Sequence, residues 1–150
     1  MNEDDLSLAD KLYAGVQLTR PLLRNITARV EADLAGTGIS IGQRAILELL
    51  LATDQATAPE ITAMLELKRQ FVARELHALS EKGMIVSVDN PRHRRSVYYR
   101  LTEESRARIS EVRRREMVQF AAFANRFSAE EIDAFLRIQA ALNQAFSRAP

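Results

Sequence analysis

The sequence contains no cysteine. This absence excludes disulfide bonds, thiolate metal ligands, a cysteine nucleophile and a thiol-based redox switch. Histidine is nearly as scarce, because only His77 and His93 are present, and they do not have the spacing of a helical metal-binding pair. We therefore expect no metal site, no cofactor and no enzyme active site.

Glycine and proline are also few, with five and four residues, and no segment is of low complexity. No apolar run approaches the roughly 18 residues that a membrane-spanning helix needs. The amino terminus, MNEDDLSLAD, is acidic and lacks the apolar stretch of a secretory signal. A chain of 150 residues with this composition is typical of one folded domain with a real core. We expect it to be cytoplasmic, with no membrane partner.

Charge is balanced overall but unevenly distributed along the chain. The formal net charge is +1, yet residues 1–67 carry 5 basic and 10 acidic side chains, whereas residues 68–115 carry 13 basic and 6 acidic ones. Of the 21 basic residues, 18 are arginine. The planar guanidinium of arginine forms paired hydrogen bonds with phosphates and guanine edges, which the lysine ammonium does not. GC-rich coding, however, produces the same enrichment in arginine.

Apolar residues recur at helical spacing at both ends of the chain. Residues 6–35 predict a long helix, in which Pro21 marks either a kink or the first turn of a second helix. A helix at about 103–125, capped by Thr102, and another after Ser128 are predicted at the other end. These helices hold more apolar surface than a small core can cover, which suggests a dimer built from the two chain ends.

Three shorter helices are predicted between these ends. Capping boxes begin at Ser40 and Thr57, and they predict one helix at about 41–53 and another that starts after Thr57. A third helix follows Leu67 and ends at Gly83, which is placed as a carboxyl-terminal cap.

The apolar period then changes from helical to alternating. The segments MIVSV (84–88) and SVYYRL (96–101) flank the turn-rich stretch DNPRHRR, and this arrangement predicts a β-hairpin. Three helices followed by a hairpin form a winged helix-turn-helix pattern. The predicted fold class is therefore mainly α with a small β-hairpin wing, in which a winged helix-turn-helix at about 40–102 lies between long dimerisation helices at about 6–35 and 104–147.

The third short helix has an unfavourable start. Ser, Thr, Asp or Asn is preferred as the cap and acidic residues in the first turn, but this helix opens with Lys68, Arg69 and Gln70. DNA phosphates and guanine edges would offset this mismatch. In a helix-turn-helix, the first residues of the second helix meet base edges in the major groove. Lys68, Arg69, Gln70 and, one turn later, Arg74 are therefore candidate DNA-binding residues, although a solvated basic face would have the same sequence.

The predicted hairpin tip is the densest positive segment of the chain. Arg92, His93, Arg94 and Arg95 lie there, and Asp89 is the only acidic residue nearby. A positive tip on a two-stranded ribbon suits a duplex minor groove, where narrow A·T tracts concentrate negative potential. These four residues are the candidate wing contacts with DNA.

The stretch ITAMLELKRQFVARELHALSEKGMIVSVDNPRHRRSVYYRLTEES resembles the helix-turn-helix and wing of MarR-type transcriptional regulators. The resemblance covers nearly the whole chain. It implies a homodimer that binds a pseudo-palindromic DNA operator, often as a repressor, and that a small aromatic or anionic ligand often releases. It also places Arg95 at the wing arginine that family members insert into the minor groove.

Two positions depart from the family pattern. His93 replaces the acidic partner of the wing arginine, which makes the wing less rigid or its DNA contact dependent on pH. Ser105 replaces a glycine that commonly follows the Leu-Thr pair, and we expect that change to be harmless in the first helical turn.

The family resemblance also implies further surfaces. The dimer would use apolar residues of the terminal helices, for which the candidates are Leu12, Val16, Ile132, Phe135, Leu142 and Phe146. In this family a ligand pocket lies where the dimerisation helices meet the winged part. Residues that could line it are Tyr13, Arg20, Arg24, Arg44, Met117 and Phe120, although each also fits an ordinary core or surface position.

Two other interpretations remain open. The chain could be a winged-helix module for protein interaction without specific DNA binding, or a winged-helix regulator of another family that does not share this dimer. The first predicts no salt-dependent DNA binding, and the second predicts no dimerisation through the chain ends.

Overall fold

A computed structural model describes residues 6–147 of the chain. That part contains seven α-helices and a three-stranded antiparallel sheet. The elements are α1 (Leu8–Gln17), α2 (Thr19–Leu34), α3 (Ile41–Thr53), β1 (Ala56–Thr57), α4 (Ala58–Leu65), α5 (Arg69–Glu81), β2 (Ile85–Asp89), β3 (Val97–Leu101), α6 (Glu103–Ala124) and α7 (Ala129–Ser147). Within the described range, residues 6–105 form one compact unit, and residues 106–147 form a second. The predicted fold class, mainly α with a small β-wing, is confirmed.

The amino-terminal helical segment is two helices rather than one. Ser7 and Asp10 form a capping box at the start of α1, which ends before Leu18. Pro21 lies in the first turn of α2, where its missing N–H has no helical acceptor in any case. Of the two alternatives for Pro21, the start of a second helix is therefore the correct one.

The core of the first unit lies between α3, α4, α5 and the sheet. Both predicted capping boxes are present, since the hydroxyls of Ser40 and Thr57 accept hydrogen bonds from the amides of Gln43 and Glu60. Fully burying an aliphatic side chain stabilises a fold by about 1.5–3 kcal/mol. The largest of the fully buried side chains are Ile46, Leu47, Leu50, Ile61, Val72, Leu76 and Leu79.

The turn between α4 and α5 depends on a strained residue. Glu66, which caps α4, has φ 52° and ψ 40°, in the left-handed region. Such a conformation costs a residue with a side chain roughly 1–2 kcal/mol. The turn nevertheless sets the direction in which α5 leaves α4.

Glu66→Gly is expected to stabilise the protein by about 0.5–1 kcal/mol, because glycine removes the strain at a small cost in unfolded-state entropy. Chemical denaturation monitored by circular dichroism measures the change. Glu66→Ala is the matched control, because alanine also removes the carboxylate but keeps the Cβ. Equal stabilisation by both variants would show that charge, rather than backbone strain, is responsible.

The wing contains one strand more than the sequence predicted. β2 pairs with β3 from Ile85 opposite Leu101 to Asp89 opposite Val97, and β1 pairs with the other edge of β3. The predicted hairpin is therefore present within one residue of its expected ends, but it belongs to a three-stranded sheet ordered β1-β3-β2. β1 has only two residues and directly precedes α4, so it is too short to produce a periodic pattern.

Ser105 has a structural role that the sequence did not indicate. Its side chain is buried, and its hydroxyl donates to the carbonyl oxygen of Met84, at the start of the wing. The amide of Ser105 in turn donates to the hydroxyl of Thr102, which caps α6. Because these bonds join the first turn of α6 to the wing, the serine is more than a harmless replacement for glycine.

Candidate nucleic-acid interface

The start of α5 lacks a side-chain cap, as its sequence predicted. Lys68 is the N-cap residue, in an extended conformation, and its side chain makes no capping hydrogen bond. The helix itself begins at Arg69, one residue later than expected. Because the first amides of a helix lack helical acceptors and carry partial positive charge, this end can bind an anion such as a phosphate.

The exposed face of α5 carries the candidate base-contacting residues. Val72, Leu76 and Leu79 are buried on the opposite face. The exposed residues of the face are Arg69, Gln70, Ala73, Arg74 and His77. Four hydrogen-bonding side chains are thus displayed on a helix whose other face is fixed in the core.

The wing tip is ordered by two consecutive turns. The Asn90 side-chain oxygen accepts a hydrogen bond from the Arg92 amide at 3.0 Å, and the Asn90 carbonyl accepts one from the His93 amide at 3.2 Å. The His93 carbonyl then accepts from the Ser96 amide. Asn90 is buried, whereas the side chains from Arg92 to Arg95 are exposed. The backbone therefore holds the basic side chains outward.

The wing arginines differ from the strand arginine that follows them. Arg100 forms an ion pair with Asp54 at 3.1 Å. Among residues 6–147, no carboxylate lies within 4.0 Å of the guanidinium groups of Arg92, Arg94 or Arg95. The positive charge of the tip is therefore not neutralised inside the described part of the chain.

The fold brings the start of α5 and the wing onto one cleft of about 620 Å³. Arg69 lines it from α5, and Arg95 lines it from the wing. Its remaining lining residues are Ala58, Pro59, Thr62, Ala63, Ala73, Ser96, Val97 and Tyr99. Sequence reasoning missed Thr62 and Ser96 as part of this surface, because only the tertiary fold places α4 beside the wing.

Arginines outside the cleft are partly engaged within the protein. In the second unit, Glu111 accepts hydrogen bonds from Arg114 and Arg115 at 2.9 and 3.0 Å, and these bonds lower the pKa of its carboxyl to about 2. The positive charge of the 68–115 segment is consequently not uniform, because these two arginines share a carboxylate while the wing arginines do not.

The candidate dimerisation residues lie in both units. In the first, Leu12 is exposed and Val16 half-buried, and in the second, Leu142 is half-buried and Phe146 exposed. The second unit also has an apolar groove of about 560 Å³ between α6 and α7. It is lined by Phe120, Phe123, Ala124, Phe127, Glu131, Ile132 and Phe135. Part of the apolar surface of α6 and α7 is thus exposed in the single chain.

The candidate ligand-binding residues have different environments. Tyr13, Arg20 and Arg24 are exposed on α1 and α2, and Met117 and Phe120 are exposed on α6. Arg44 is instead buried in α3, where its guanidinium donates to Glu48 at 3.1 Å. Its charge is thus already partnered within the same helix.

The histidine of α5 lies on the protein surface. His77 is exposed and pairs with Glu81 at 3.1 Å on the surface of α5. Within residues 6–147, no three potential metal ligands of the His, Cys, Asp or Glu types cluster together. None of the helices in the same range has the length and apolar character needed to cross a bilayer.

Comparison with known proteins agrees with this arrangement. The MarR family model matches residues 37–96. A solved structure of a MarR family transcription regulator is 45% identical to this chain, with a TM-score of 0.84. The match covers 93% of this chain and 92% of the other protein. A comparison with curated protein sequences found no match.

Two more distant structures share the fold. Streptococcus pneumoniae FabT in complex with DNA is 23% identical, with a TM-score of 0.79 over 92% of this chain and 98% of that one. A mutant of E. coli MarR complexed with operator DNA is 19% identical, with a TM-score of 0.69 over 91% and 99%. With 45% identity to a family member across nearly its full length, the chain belongs to the MarR family of transcription regulators.

Proposed function

We propose that the protein is a homodimeric, sequence-specific regulator that binds pseudo-palindromic double-stranded DNA. The observation that carries this proposal is the shared cleft, which has Arg69 of the uncapped helix α5 on one side and Arg95 of the wing on the other. Two basic elements that are separate in sequence thus form one surface suited to a polyanion.

Each half of this surface has a distinct role. Lys68, Arg69, Gln70 and Arg74 enter the major groove, where arginine and glutamine can read base edges through paired hydrogen bonds. Arg92, His93, Arg94 and Arg95 lie along the flanking minor groove, whose negative potential is strongest in narrow A·T tracts. The turns around Asn90 support this role because they fix the backbone from which the wing arginines project.

The domain organisation that goes with this function has a winged helix-turn-helix at about 40–102 and dimerisation helices at about 6–35 and 104–147. Support comes from the exposed apolar side chains of α1, α2, α6 and α7, which a second copy would cover. Leu12, Val16, Ile132, Phe135, Leu142 and Phe146 belong to that interface. A two-fold dimer would place its two α5 helices in successive major grooves.

We further propose that the protein is a cytoplasmic repressor that a small aromatic or anionic ligand releases from DNA. The support is family membership, together with exposed aromatic, basic and apolar side chains, namely Tyr13, Arg20, Arg24, Met117 and Phe120. Arg44 contributes to such a pocket only if a ligand replaces or shares its bond with Glu48.

Selection of bound sequences from a pool of random duplexes tests the proposed reading of DNA. We expect two inverted half-sites about 10 base pairs apart, centre to centre, with A·T-rich flanks. Repeating the selection with Gln70→Ala or Arg69→Ala should change the preferred base within each half-site. If both variants instead select the parent sequence and bind it more weakly, the two residues contact phosphates rather than bases.

A further inference from the structure

The side chain of Phe71 lies against a glycine of the neighbouring helix. Gly42 is in the first turn of α3, and a Cβ added to it would lie 2.5 Å from Cζ and 2.9 Å from Cε1 of Phe71. Real Cβ atoms essentially never approach that closely. The absence of a side chain at position 42 is therefore what allows the ring to occupy this place.

The same ring supports a candidate DNA-binding residue. The guanidinium carbon of Arg74 lies 5.4 Å from the centroid of the Phe71 ring, within the range of a cation–π contact. In addition, Nε of Arg74 lies 3.5 Å from Oε1 of Glu75. The other carboxylate oxygen of Glu75 accepts a hydrogen bond from Nε2 of Gln43 at 2.8 Å. Arg74 is thus exposed but contacts both the Phe71 ring and the Glu75 carboxylate.

The Phe71 ring and the Glu75 carboxylate, which both contact Arg74, are each in contact with the first turn of α3. Gly42 makes room for the ring, and Gln43 holds the carboxylate while its own side chain also closes the Ser40 capping box. Lys82, at the end of α5, donates to the Gln43 side-chain oxygen as well. The start of α3 is therefore joined to α5 both near Arg74 and at the end of that helix.

We propose that Gly42 and Phe71 form a platform that positions Arg74 for DNA, so that the first turn of α3 controls where this guanidinium meets the duplex. The inference rests on the proposed DNA-binding function. An arginine that is already ordered loses less side-chain entropy on binding. With Nε of Arg74 beside the Glu75 carboxylate, its two terminal NH2 groups are the donors that would meet a base edge or a phosphate.

Space beside the ring makes this platform testable. A cavity of about 580 Å³ borders Phe71 and Gly42, and its other lining residues include Leu34, Ile39 and Glu75. A methyl group at position 42 can therefore push the ring toward this cavity instead of unfolding the helix. Gly42→Ala should consequently move Arg74 while α5 stays folded.

Affinity for the selected duplex gives the first test. We expect Gly42→Ala to weaken binding roughly 3- to 10-fold, which is the size expected when one long side chain loses its preorganisation. In an Arg74→Ala background the same substitution should have no further effect. Ser80→Ala is the control, because it changes a small exposed side chain of the same helix about 9 Å from Arg74 along the helix axis. Circular dichroism establishes that each variant is folded.

Nuclear magnetic resonance of the free protein gives a readout that does not depend on DNA. The side-chain protons of Arg74 should show a ring-current shift that Phe71→Leu abolishes and Gly42→Ala reduces. Absence of that shift in the parent protein would overturn the platform. So would an affinity loss from Gly42→Ala that is equal with and without Arg74.

The proposed function can fail separately from the platform. A parent protein that shows the ring-current shift but binds no duplex would overturn the proposed function, and with it the role of the platform in DNA binding. A parent that binds a specific duplex with no coupling between positions 42 and 74 overturns only the platform.

Discussion

Arg95→Ala is expected to weaken binding to every duplex with A·T-rich flanks by about 10- to 100-fold, which corresponds to the roughly 1–3 kcal/mol of a well-placed arginine contact. Arg95 lies on the cleft shared with Arg69, and among residues 6–147 it has no acidic partner that would compete with DNA. Removing it also removes one contact with the negative potential of the minor groove. Fluorescence anisotropy with labelled duplexes over a salt series measures both effects.

Measuring affinity for a duplex with G·C-rich flanks distinguishes a contact in the minor groove from a general effect of net charge. The loss should be smaller on a duplex with the same half-sites and G·C-rich flanks, whose minor groove is wider. Arg29→Ala is the matched control, since it removes the same charge from an exposed arginine of α2, which pairs with Asp33 at 4.0 Å. If Arg29→Ala and Arg95→Ala weaken binding equally on both duplexes, Arg95 acts only through net charge.

Phe135→Glu is expected to convert the dimer into monomers and to lower DNA affinity by about 10²- to 10⁴-fold. The side chain is 62% exposed and lines the apolar groove of α6 and α7, so the proposed partner subunit would bury it. A carboxylate placed there loses its hydration without gaining a counter-charge. The affinity falls because each monomer then binds one half-site without the effective concentration that the linked partner provides.

Sedimentation or light scattering gives the oligomeric state directly. The parent should have twice the chain mass of 16.9 kDa, and the variant should have the single mass. Met64→Glu, at a position of α4 that is 58% exposed, introduces the same charge at a similarly exposed apolar residue outside the terminal helices. It should leave the dimer intact. A dimeric Phe135→Glu variant would place the interface elsewhere.

Local chemistry explains what the sequence could predict. The starts of α3 and α4 follow from capping boxes, and the end of α5 follows from Gly83, whose φ of 69° is unfavourable for other residues. The uncapped start of α5 could be predicted in the same way, because it follows from the residue preferences at the cap and first turn of a helix. These features require no knowledge of the tertiary fold.

Features that depend on tertiary contacts could not be predicted in the same way. β1 exists because β3 offers it a free edge, and Ser105 matters because the Met84 carbonyl lies within reach of its hydroxyl. The contact between Gly42 and Phe71 joins two helices, and neither residue is unusual in its own helix. The candidate residues for the DNA surface were found from charge, but the cleft that joins Arg69 with Arg95 required the fold.

The central claim is specific DNA binding by the basic surface of α5 and the wing. The most direct measurement is fluorescence anisotropy of the full chain on the DNA upstream of its own gene and on a scrambled duplex, over a salt series. We expect nanomolar binding that is about a thousandfold tighter than binding to the scrambled duplex, with affinity falling steeply as salt rises. Failure to bind either duplex even at low salt would contradict the claim and would favour a winged-helix module for protein interaction.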